Sequence, residues 1–153
     1  MKRLAVIIPA AGESRRMGLK TPKPFLPLGG VAMLARTIET FQKCRFVGLV
    51  QPVLPRTYLP RFRRLLEKHR WKSCLPAIAG GRERQDSVRK GLLSLPEDVE
   101  IVMVHDGARP LVPSRLITDV LEAAERHGAA LAALPLHDTL KKASSGAFVK
   151  RTV

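Results

Sequence analysis

The chain has few aromatic residues, 5% of its 153, so its core has to be built from aliphatic side chains. It has only two cysteines, Cys44 and Cys74. They form no C-x-x-C pair and have no histidine at ligand spacing. That excludes a disulfide framework and a structural zinc site, and it fits reduced thiols in a cytoplasmic protein. No apolar run reaches the ~18 residues that a membrane span needs. Met1-Lys2-Arg3 ahead of an apolar run imitates a signal peptide, but the run is short and meets Pro9, so it reads as a first strand. Acidic residues are scarce too, 13 against 27 Lys and Arg, for a net charge of +14. An excess of that sign points to anionic partners, either nucleic acid or phosphorylated small molecules. Neither the G-x-x-x-x-G-K-[ST] loop nor the dinucleotide G-x-G-x-x-G is present. Internal repeats and low-complexity linkers are lacking as well, and the length fits one domain.

What is present is alternation. Apolar runs at 4–8, 46–53, 75–79, 100–104 and 129–135 read as buried strands. Between them lie helical patterns: Leu34, Ile38 and Phe41; a basic stretch over 57–70; Val88, Leu92 and Leu95; and Leu116, Ile117, Val120, Leu121 and Ala124, with Ser114 as N-cap and Gly128 as stop. Strand–helix alternation with continuous apolar strands predicts an α/β protein whose mostly parallel sheet is covered on both faces. After Pro135 the pattern decays into a polar segment, with Ser144-Ser145-Gly146 as a hairpin-like turn between lysine-bearing arms. The densest basic patch, Arg56 to Lys72 with a lone Glu67, reads as an amphipathic helix with a solvated cationic face.

Ligands of open α/β sheets bind beyond the carboxyl ends of the strands, and three unusual segments fall there. After the first strand come Ala10, Ala11 and Gly12, small enough for backbone N–H groups to close on a ligand. Arg15, Arg16, Lys20 and Lys23 follow. Small residues plus cations suit a triphosphate. Pro22 and Pro24 stiffen the backbone around Lys23. The second segment is Gly80-Gly81-Arg82-Glu83-Arg84-Gln85-Asp86-Ser87, a glycine turn into a helix start, where Ser87 can donate a hydrogen bond. The third is His105-Asp106-Gly107-Ala108-Arg109-Pro110. Its Asp106 follows a strand into the cleft, and a carboxylate among cations suits a Mg²⁺–phosphate site. His105 lacks a partner at ligand spacing and reads as a packed histidine.

Taken together these segments resemble the 2-C-methyl-D-erythritol 4-phosphate cytidylyltransferases of the non-mevalonate isoprenoid pathway. The match is carried by Pro9-Ala10-Ala11-Gly12, Arg16-Met17-Gly18, Pro22-Lys23-Pro24-Phe25, Gly80-Gly81 with Arg84 and Ser87-Val88, His105 to Pro110, and Asp138-Thr139-Leu140-Lys141. The first element is shared with many nucleotidyltransferases; the glycine-pair and His-Asp segments are more specific. The resemblance implies a Rossmann-like nucleotidyltransferase sheet with a projecting β-arm used in homodimerisation. It implies a nucleotide-binding domain over 1–136 and the start of the arm over 137–153. It further implies Arg16 and Lys23 as catalytic cations and Ala10, Ala11, Gly12, Lys23, Gly81, Arg82, Ser87, Asp106 and Gly107 against CTP. Asp106, Arg109 and Thr139 would meet the acceptor, and Asp106 would hold Mg²⁺. In the implied reaction a phosphate oxygen of the acceptor attacks the α-phosphorus of CTP, and pyrophosphate leaves.

Two positions depart from the family pattern: Ser14 stands where a second glycine is frequent, and Gly107 where alanine is usual. Family chains also run on past the position of Val153 to an Asp-Arg pair, an acidic residue and a lysine. The expectation is therefore a chain without the family's C-terminal third and with little activity alone. The alternatives are a cytidylyltransferase for another polyol phosphate, such as ribitol 5-phosphate, and an inactive remnant that binds CTP or RNA. Nucleic acid is the less favoured partner.

Overall fold

A computed structural model of the chain describes residues 4–12, 21–143 and 148–152. Contacts divide the chain into two units, Met1–Ile117 and Thr118–Val153.

The first unit is built on a four-stranded parallel sheet. Strand β1 (Leu4–Pro9) ends at the proline that stops its ladder. A 3-10 turn at Lys23–Phe25 follows, then a small antiparallel pair, β2 (Pro27–Leu28) and β3 (Val31–Ala32). Gly29 and Gly30 join β2 to β3, with φ of 57° and 77°, a backbone conformation that glycine adopts without strain. Helix α1 (Met33–Gln42) leads to β4 (Val47–Leu54), and α2 (Leu59–His69) to the short β5 (Ile78–Ala79). Helix α3 (Arg84–Leu93) precedes β6 (Ile101–Val104), and α4 (Ser114–His127) spans the boundary between the units. The strand order is β5-β4-β1-β6, with parallel pairing throughout.

Strand β1 is central. Residues Leu4 to Ile8 are at most 1% exposed, which a continuous apolar run permits only if both faces are covered. Neighbouring residues show how. A Cβ on Gly91 of α3 would meet Ile7 and Val53, whereas one on Gly107 would meet Ile8 and Leu34 of α1. Successive side chains of a strand point to opposite faces, so α3 covers the Ile7 face and α1 the Ile8 face.

Two details differ from the expected pattern. Strand β4 runs through Pro52, although proline cannot donate to a ladder and is rare in central strands. It falls in a gap. The Val50–Cys74 bridge lies before it, and β5 pairs only with Val53 and Leu54. The buried Gln51 amide spans that gap, donating to the carbonyls of Pro52 and Pro76 at 3.1 Å each. The second difference is in α3, where Leu92 is half exposed and the buried residues are Ser87 and Gly91. Small side chains let this helix approach the sheet closely, so its inner face is not the leucine stripe that spacing predicts.

In the second unit α4 ends at Gly128, whose φ of 84° closes the helix through its N–H to Ala124 O at 2.8 Å. The expected strand at 129–135 does not form; residues 129–140 are exposed and carry no regular structure. Alanine-rich segments lack the β-branched side chains that favour a pleated surface. Strands β7 (Lys141–Ala143) and β8 (Val149–Thr152) make an exposed antiparallel ribbon, with Lys142 opposite Arg151. The expected turn at Ser144-Ser145-Gly146 lies outside the described residues.

Candidate functional site

Three loops leave the carboxyl ends of β1, β5 and β6, and hydrogen bonds to neighbouring strands hold each loop start. Ala10 N–H donates to Val53 O at 2.8 Å, Gly80 N–H to Leu54 O at 2.8 Å, and His105 N–H to Ile7 O at 3.0 Å. Between them opens a cleft of about 630 Å³. Its lining includes Ala10, Ala11, Gly12, Lys23, Gly81, Arg82, Ser87, Asp106, Gly107 and Arg109. The structure therefore brings together ten of the predicted site residues. Thr139 belongs to the second unit, where it is exposed. Arg16, with Arg15 and Lys20, lies outside the described residues.

The small residues have contact reasons. A Cβ on Gly80 would strike the Ala11 methyl and come within 2.8 Å of Ser87 Oγ, and one on Gly81 would overlap Asp86. Side chains here would push the first two loops apart. Ser87 is buried and its hydroxyl is already engaged: Oγ accepts from Gly81 N–H at 3.1 Å and donates to Glu83 O at 3.1 Å. It shapes the glycine turn rather than standing as a spare donor. Glu83 and Asp86 form a reciprocal capping box at the start of α3, with Glu83 N–H donating to Asp86 at 3.0 Å.

Lys23 is placed from below. Pro24 and Phe25 are buried, Phe25 stacks on Tyr58 at 4.8 Å, and the Arg61 guanidinium lies 5.1 Å from the Phe25 ring centre. The 3-10 turn closes through Phe25 N–H to Pro22 O and Leu26 N–H to Lys23 O. Lys23 itself stays exposed at the cleft.

The third loop is held by two residues that sequence reasoning missed. Thr37 Oγ1 on α1 reaches Gly107 O at 3.2 Å, and Thr40 Oγ1 reaches Pro110 O at 3.3 Å. Threonines one turn apart on the inner helix face were the available signal. Asp106 then meets two guanidiniums, Arg84 at 2.8 Å on Oδ1 and Arg109 at 2.9 Å on Oδ2. Burial works to raise its pKa, but the Arg84 hydrogen bond and the charges of Arg84, Arg109 and His105 hold it below the usual carboxylate range. His105 packs edge-on against Phe41 at 5.0 Å, as a packed histidine should. Burial pushes its pKa down; Asp106 pulls against that shift and Arg109 adds to it.

These donors do not fit a resident Mg²⁺. Among the described residues the cleft is lined by two carboxylates, Glu83 and Asp106. Glu83 caps α3 and also accepts from Gln85 at 3.2 Å, and both Asp106 oxygens are engaged by arginines. Among the described residues no group of three or more His, Cys, Asp or Glu could hold a metal ion.

Comparison with known proteins agrees with this architecture. The family model of 2-C-methyl-D-erythritol 4-phosphate cytidylyltransferase (IspD) matches residues 4–153. The chain is 40% identical over 145 residues to a protein of that name from Bacillus mycoides, covering 95% of this chain and 64% of the relative. It is 41% identical over 153 residues to the bifunctional enzyme IspD/IspF of Desulfotalea psychrophila, covering 39% of that protein. Among solved structures, 4-diphosphocytidyl-2C-methyl-D-erythritol synthase from Anaerococcus prevotii superposes with a TM-score of 0.83 at 24% identity, over 99% of this chain and 64% of that one. The chain thus spans less than two thirds of the length of these relatives.

Proposed function

The chain belongs to the 2-C-methyl-D-erythritol 4-phosphate cytidylyltransferase family, and we propose that its cleft binds CTP for cytidylyl transfer to 2-C-methyl-D-erythritol 4-phosphate. One observation carries the reading. The small-residue loop, the glycine turn and the Asp-Arg loop converge on one cleft lined by Lys23, Arg82, Arg84 and Arg109.

In the proposed reaction a phosphate oxygen of the acceptor forms a bond to the α-phosphorus of CTP. The bond from that phosphorus to the bridging oxygen breaks, and pyrophosphate leaves with the electron pair. Charge builds on the phosphoryl oxygens. Lys23 and, four residues beyond Gly12 in sequence, Arg16 are the proposed cations that stabilise it. Fixed donors of this kind are worth about 3–4 kcal/mol each when removed singly. Ala10, Ala11, Gly12 and Gly81 let backbone approach the nucleotide, and Ser87 keeps the Gly81 turn in shape. Arg109 and Thr139 are proposed for the acceptor, and the β7–β8 ribbon for homodimerisation. A cytoplasmic setting goes with this metabolic reading; no helix among the described residues is long and apolar enough to cross a membrane.

Calorimetric titration with CTP, ATP and GTP tests the nucleotide. CTP is expected to bind at least tenfold more tightly than the other two, a difference of about 1.4 kcal/mol. Equal affinity for all three, or none for CTP, would overturn the proposal.

A further inference from the structure

Asp106 links two loops that come from different strands. Arg84 sits at the start of α3, behind the glycine turn after β5, and Arg109 follows three residues after Asp106 in the loop after β6. Each loop is anchored separately. The Arg84 side is fixed by the capping box and by Ser87, the Asp106 side by Thr37, Thr40 and the Gly107 N–H to Pro9 O. The two guanidiniums are otherwise loosely held, their side chains being 63% and 76% exposed. An arginine side chain loses rotamer entropy on ordering. Two like charges at the mouth of one cleft would also repel each other. The carboxylate between them answers both problems, since each guanidinium commits one N–H to it and keeps the others for a further anion.

We infer that Asp106 is a positioning residue, aiming Arg84 and Arg109 at the phosphates of a bound ligand, and that a divalent cation enters this cleft only on those phosphates. The inference rests on the proposed reading that the cleft takes a phosphorylated ligand. It assigns Arg84 a ligand-facing role and removes Asp106 from metal ligation. The charge arithmetic points the same way. Two arginines and one carboxylate sum to +1, which attracts phosphate and opposes a free dication. Asp106 also remains ionised through the neutral range, as the brace requires.

Proton–nitrogen correlation NMR of the arginine Nε–H groups tests this on the chain itself, with Mn²⁺ as a paramagnetic probe. Arg109 Nε–H, bonded to Asp106, is expected as a protected resonance that disappears in Asp106→Asn while the amide spectrum shows an intact fold. Mn²⁺ added to the free chain is expected to leave that resonance at full intensity. Arg84→Gln, which frees one Asp106 oxygen, is expected to behave likewise. Mn²⁺ bleaching of that resonance and of the neighbouring Gly107 amide in the free wild-type chain, with the Gly107 amide restored in Asp106→Asn, would make Asp106 a metal ligand and overturn the inference. So would the absence of a protected Arg109 resonance in the wild type. With CTP present the same Mn²⁺ should bleach the resonance. If that arm alone fails, the brace stands and the CTP reading falls, because the free-chain result needs no nucleotide.

Discussion

Cys74 lies where the ladder between β4 and β5 begins, its backbone bridging Val50. It is 8% exposed, and burial pushes its thiol up to about 12. Cys44 is shifted upward too, chiefly by burial, with Ser114 pulling the other way. The sign of the consequence follows from where the proton sits. An unfolded thiol titrates near ~8.5, so from there to about 12 the unfolded chain loses a proton that the folded chain keeps. Stability is therefore undiminished below ~8.5 and falls as pH rises, by up to about 1.4 kcal/mol per pH unit for one thiol. Urea denaturation of the wild type and Cys74→Ala across the alkaline range should show a shallower fall in the variant. Parallel curves would mean that the thiol is solvated after all.

The same scale shows what residue identity could and could not reveal about the cleft. That small residues and cations meet at the strand ends was legible, because clefts of open α/β sheets open beyond the carboxyl ends of the strands. That Ser87 spends its hydroxyl on its own loop was not legible, since a backbone acceptor one turn back, Glu83 O, leaves no mark on the sequence. The pairing of Asp106 with Arg84 is likewise set by the meeting of two loops 22 residues apart in sequence.

Among the elements, α3 decides how closely the second loop approaches the first. Its inner face is Ser87 and Gly91, and a Cβ on Gly91 would lie 2.7 Å from Ile7 Cγ2 and 3.2 Å from Val53 Cγ2. Two opposing effects can be weighed for Gly91→Ala. Removing a helical glycine gains roughly 0.5–1 kcal/mol, while forcing a methyl into a packed contact costs typically 1–3 kcal/mol. The second is larger, and Ile7 belongs to the fully buried central strand, so it has little room to move. A net loss of about 1 kcal/mol is expected in urea denaturation. A net gain would show that α3 can back away from the sheet. The helical spacing of Val88, Leu92 and Leu95 suggested a face about 100° away from the observed one, because periodicity counts apolar residues, and a helix seated by its glycine presents no apolar signal there. Strands were read more faithfully. Four of the five expected apolar runs are strands, since burial on both faces demands an uninterrupted run. The fifth, at 129–135, failed because Ala-Ala-Leu repeats satisfy hydrophobicity without satisfying β geometry.

At the scale of the whole molecule, two of the places where the charge of +14 gathers can be compared. One is the cleft. The other is the outer face of α2, where Arg61, Arg63, Arg64 and Lys68 are exposed beside Glu67, and Phe62 anchors the inner face. The two should answer salt differently. A surface that holds a single-stranded polyanion does so by releasing counterions, so log affinity falls with log salt at about 0.7 per phosphate engaged. Four contacts would give a slope near −3, a loss of roughly 200-fold between about 50 and 300 mM salt. A nucleotide in the cleft adds short-range backbone N–H contacts from the small-residue loops to its ionic ones, and its affinity should fall less than tenfold over the same range. Titrating the chain with CTP and with a random-sequence oligoribonucleotide at several salt concentrations separates these cases. The cytidylyltransferase reading expects the oligonucleotide to be lost first and CTP not to compete with it. If both ligands share one slope and displace each other, the cleft is a general polyanion site, and a remnant that binds RNA becomes the better account of the charge.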